Sequence, residues 1–139
     1  MSLPQAIEIA DELRDELLLE IDRARTEREL LRSFDAAKIH GRLQEREAFL
    51  CRARQLEQRL VDATDGHAQV SLQLDQRIQN LRSLAGTLSE LTALNHELAR
   101  RAANCARAYV HALTPRAASY DRRGASRAAA VSGALSRRA

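Results

Sequence analysis

The chain has 139 residues, of which only 3% are aromatic, with five glycines and two prolines, and Leu, Ala, Arg, Glu and Gln dominate the rest. That profile excludes a sheet-rich domain and implies one all-α folded unit with a core of Leu and Ala. The formal charge of +3 is unevenly spread: residues 115–139 carry six arginines against Asp121 alone, a net of +5, which leaves −2 for residues 1–114.

Ser2, Pro4 and Gln5 read as a helix start, since Ser followed three residues later by Gln is a capping box and Pro is tolerated in the first turn. Ala6, Ala10, Leu13, Leu17, Ile21, Ala24, Leu31 and Phe34 then recur three, four or seven residues apart, drawing an apolar stripe along a helix over residues 4–33. Asp35 is a good N-cap for a second helix with the stripe Ile39, Leu43, Phe49, Leu50, Ala53, Leu56 and Leu60, stopped by Thr64, Asp65 and Gly66. Residues 67–85 read as a connecting segment, half helical, with a short helix from Leu74 onwards. Gly86 breaks the pattern, and Thr87 with Glu90 forms another capping box before a third long helix. Its stripe is Leu88, Leu91, Leu94, Leu98, Ala102, Cys105, Tyr109 and Leu113, and it ends near Thr114, ahead of Pro115.

The expected fold is therefore an elongated antiparallel bundle of three long helices plus a short connecting helix. At about 1.5 Å per residue the long helices would extend roughly 40 to 45 Å. Residues 1–114 form the bundle domain, and residues 115–139, rich in Ala, Ser, Arg and Gly, form a flexible basic tail that cannot repay its own ordering entropy. There is no apolar run near the 18 or so residues needed to span a bilayer, and the first residues lack a signal peptide, which places the protein in the cytoplasm. Cys51 and Cys105 make no disulfide framework and read as small, semi-buried core residues.

Chemistry-bearing motifs are sparse. His96 and Glu97 begin like a zinc-protease helix, but that site needs a second His one turn later and Arg100 stands there. None of His40, His67, His96 and His111 has a Glu three residues before it, as di-iron bundles require. Asp11, Asp15, Asp22, Glu27 and Glu29 interleave with Arg14, Arg23, Arg25 and Arg28, the pattern of a solvated helix face. No metal, no cofactor and no catalysis are expected. The arginine-rich tail binds phosphates weakly by counterion release, yet no recognition helix or stacking platform accompanies it.

The order of features resembles FlgN-type flagellar export chaperones over most of residues 10–125. The likeness lies in Glu16, Leu17, Leu18, Leu19 and Glu20, in Asp35 and Lys38, and in the run from Glu45 to Leu50 ahead of Leu56 and Glu57. It continues in Leu91, Thr92, Ala93, Leu94 and Asn95, and in Tyr120, Asp121, Arg122, Arg123 and Gly124. The resemblance implies a cytoplasmic escort that holds hook-associated proteins, the hook-filament junction components, unassembled until the type III export apparatus takes them. Client binding would fall on Leu94, Asn95, Leu98, Ala102, Cys105 and Tyr109, and Tyr120 would dock on the export gate. The alternative is a generic helical scaffold or adaptor, self-associating through its apolar stripes, and the sequence leaves monomer and homodimer both open.

Overall fold

The computed structural model describes residues 2–65 and 71–114, and these form three α-helices with no strand among them: α1, Leu3–Ser33; α2, Ala36–Thr64; α3, Leu72–Leu113. The chain divides into two compact units, Met1–Ala102 and Ala103–Ala139. In the second unit the described part is the end of α3 and Thr114; the expected tail, residues 115–139 with Tyr120, lies outside the described residues.

Helix α1 starts where its sequence directs, with the Gln5 side chain accepting the Ser2 backbone N–H at 2.9 Å. It stops because Phe34 adopts a left-handed conformation, φ 53° and ψ 22°, at its C-terminus. Asp35 then caps α2 by accepting the Lys38 N–H at 3.1 Å. Phe34 is 61% exposed, so the α1 stripe ends before it.

In the first unit α1 is the common neighbour of the other two helices. Glu12 pairs with Arg59, Glu16 with Arg52 and Glu27 with Arg46, a falling series that makes α2 antiparallel to α1. Asp11 meets Arg77 and Ala24 meets Asn95, a rising series that makes α3 parallel to α1. Where α1 begins and α2 ends, the core is apolar: Ala6, Ile9, Ala10, Leu13 and Leu17 pack with Phe49, Leu56, Leu60, Ala63, Leu74 and Leu81.

One difference from the sequence expectation concerns α3. The connecting segment and the third helix are one helix, and Gly86 lies inside it. Thr87 does not cap a new helix; its hydroxyl donates back to the Ser83 carbonyl at 3.2 Å. A glycine costs about 1 kcal/mol in a helix interior, and burial of Leu81 with partial burial of Leu84 and Leu88 on either side outweighs that. The two thiols also differ from expectation, both Cys51 and Cys105 being exposed.

A methyl group at position 86 would meet nothing within 4 Å. Gly86→Ala is therefore expected to stabilise the protein by about 0.4–1 kcal/mol, seen as a rise of a few degrees in Tm by circular dichroism. A loss of stability would mean that the helix bends at Gly86.

Candidate protein-binding surface

Each helix carries buried residues seven apart, and at one end of the bundle these residues are polar. On α1 the ladder is Ala6, Leu13, Glu20 and Glu27; on α2 it is Arg42, Phe49, Leu56 and Ala63. On α3 it is Leu74, Leu81, half-buried Leu88 and Asn95. The antiparallel and parallel pairings stack these ladders so that Glu27, Arg42 and Asn95 share the last layer, with Glu20 two turns below. Glu27, expected on a solvated face, is 6% exposed.

The layer is densely bonded. Arg42 donates to both Glu20 oxygens, at 2.6 and 3.4 Å. One Arg46 nitrogen lies 2.6 Å from each Glu27 oxygen. The Asn95 amide donates to the Ala24 carbonyl and to Glu27 Oε2, each at 2.7 Å. Glu27 thus joins all three helices through its two oxygens. Arg42 Nε and Asn95 Oδ1 are buried with no hydrogen-bond partner among the described residues.

Asn95 is therefore turned inward and is not available to a client. The other residues named from the family resemblance lie elsewhere on α3. In the first unit Leu94 is 52% and Leu98 39% exposed, one turn apart on a common flank, and Ala102 is half-buried. In the second unit Cys105 is exposed and Tyr109 is 66% exposed. Every side chain from residue 103 to residue 113 is exposed, including Val110 and Leu113, both at 62%.

An open groove of about 590 Å³ also lies in the first unit, with Leu17 and Phe49 at one wall and Ala85, Leu88, Ser89, Thr92, Ala93 and His96 at the other. Leu94 and Leu98 do not line it, because they point from the opposite flank of α3. Sequence reasoning passed over this groove: its α3 wall is mostly small or polar and draws no hydrophobic stripe. The signal that reaches it is a second series with the same seven-residue spacing, Ala85 and Thr92, each four residues after Leu81 and Leu88 of the ladder.

Near Leu98, Glu97 accepts from Arg100 at 2.9 Å and from Arg101 at 2.8 Å. Hydrogen bonds from Arg100 and then Arg101 lower its pKa from the ordinary 4.5 to about 2. Among the described residues no three His, Cys, Asp or Glu side chains converge as a metal site would need. No helix among them is long and apolar enough to cross a membrane. Comparison with protein families, with curated proteins and with solved structures returned no match.

Two measurements test this geometry. Glu20→Ala leaves Arg42 buried without its bidentate partner and is expected to cost about 3–5 kcal/mol in urea unfolding, whereas Glu20→Leu combined with Arg42→Met should be neutral or stabilising. Equal losses in the two variants would show that the charges themselves hold the bundle together. Since the Glu97 pKa is depressed, the contribution of its ion pairs is present above pH 4.5 and fades as pH falls through about 2. A carboxyl NMR titration of Glu97 should have its midpoint near 2, and Arg100→Gln with Arg101→Gln should return it towards 4.5.

Proposed function

We propose that this chain is a flagellar export chaperone of the FlgN kind, binding hook-associated proteins in the cytoplasm and delivering them to the type III export apparatus. The resemblance described above suggests the class, and one structural observation supports a binding role. The last turns of α3, residues 103–113, bury none of their side chains within the chain while presenting Tyr109, Val110 and Leu113. A helix end that packs none of its side chains gains no tertiary stabilisation of its own, and a partner that covers its apolar side supplies it.

In this reading the client supplies an amphipathic helical segment with anchors at i, i+3, i+4 and i+7. Leu94 and Leu98 offer a contact in the first unit, and Tyr109 with Cys105 offers one in the second. Covering the client's apolar terminus keeps it from polymerising early. Asn95 holds α3 in register from inside, and Tyr120 docks on the export gate.

Hook-associated proteins from a flagellated bacterium should be captured by the immobilised chain. Leu98→Asp, at a half-exposed position that tolerates charge, should weaken capture about tenfold, or about 1.4 kcal/mol, with unchanged helicity. Tyr120→Ala should keep capture but lose secretion and motility. Capture of unrelated partners only would remove the chaperone reading in favour of a general helical adaptor, and full affinity in folded Leu98→Asp would remove Leu98 from the client-binding surface.

A further inference from the structure

We propose that the end of α3, residues 103–113, docks an acidic amphipathic helix of a partner protein, seated on Tyr109, Val110 and Leu113 and held at its rim by Arg107. This rests on the protein-binding reading above and adds the charge that the bound segment must carry. Ala106, Tyr109, Val110 and Leu113 are spaced as i, i+3, i+4 and i+7, one side of a helix, and all four are exposed. Arg107 and His111, four residues apart, adjoin that side next to Val110.

The charge of the occupant follows from what Arg107 touches. Its guanidinium donates to Asn104 Oδ1 at 2.8 Å and to the Ala103 carbonyl at 3.4 Å, both neutral acceptors. Among the described residues no carboxylate pairs with it, whereas Arg100 and Arg101 are both paired with Glu97. Between Glu97 and Asp121 the sequence holds no carboxylate at all, and residues 103–139 carry seven arginines against Asp121 alone, a net of +6 in a chain of +3. Arg107 on the flank of an apolar side, in a segment of net positive charge, selects a partner with carboxylates flanking apolar anchors.

Rival occupants fit less well. A second copy of this chain meeting the first through the same segment would bring net-positive residues 103–139 against their like, with Asp121 alone to offset the repulsion. A nucleic acid would use the arginines but leave Val110 and Leu113 with nothing apolar to cover them.

The test uses the full chain and a short fluorescein-labelled helical peptide with Leu at i, i+3, i+4 and i+7 and Glu between, read by anisotropy. The acidic peptide should bind, with a Kd that rises with salt, and the same peptide with Lys for Glu should bind at least fivefold more weakly. Arg107→Glu, at an exposed position with helicity checked, should weaken the acidic peptide about fivefold, the upper end for one surface ion pair. Tyr109→Ala should weaken both peptides. Equal binding of the two peptides would overturn the proposal. So would failure of the acidic peptide where duplex DNA or phosphatidylserine vesicles bind and Arg107→Glu abolishes it, or where the chain dimerises through Tyr109.

The two readings separate cleanly. Capture of hook-associated proteins that is indifferent to Arg107→Glu keeps the chaperone and sinks the acidic partner. Acidic-peptide binding with no capture of hook-associated proteins does the reverse.

Discussion

Two carboxylates withdrawn from water, Glu20 and Glu27, set the terms on which the three helices of the first unit meet. Desolvating an ion pair costs several kcal/mol per charge, and its attraction repays this only when geometry and hydrogen bonds are good. Glu27 meets that condition by accepting from Arg46 on α2 and Asn95 on α3 at once, and Glu20 by a two-pronged contact with Arg42. A slip of one turn by any helix would strand a buried charge. The layer thus specifies alignment more than it adds stability, since the Leu-rich layers below it would tolerate several registers equally well.

That arrangement also decides which surfaces stay open. All hydrogen bonds and ion pairs between helices among the described residues run through α1, and a groove opens between α3 and the α1–α2 pair at the level of Leu17 and Phe49. Apolar side chains that find no place in the seam are turned outward, as at Leu50, Leu94 and Leu98. In the second unit the described side chains of residues 103–113, apolar and basic side by side, are all exposed.

Helix ends were the most legible feature, because capping is local chemistry: Ser2 with Gln5, and Asp35 with Lys38, mark their boundaries through contacts three residues apart. Gly86 misled for the same reason. Its propensity argues locally for a break, while the spacing of Leu74, Leu81, Leu88 and Asn95 continues through it without interruption. Phe34 misled in the other direction, an apolar residue at the right spacing that the chain uses to turn. The Cys105 and Tyr109 positions continue the α3 pattern but are exposed, and spacing cannot distinguish a side chain that packs from one that does not.

The sequence by itself determined the helical class, the bounds of α1 and α2, the C-terminal end of α3 and most of the apolar core, because these depend on period, capping and composition, which are properties of neighbours in the chain. Only the tertiary structure decided that Glu20, Glu27, Arg42 and Asn95 are interior. A charge is read as solvated until the partner that neutralises it is seen, and these partners come from other helices: Arg42 lies 22 residues from Glu20, and Asn95 lies 68 from Glu27. Their meeting is a consequence of register, and register exists only once the helices have packed.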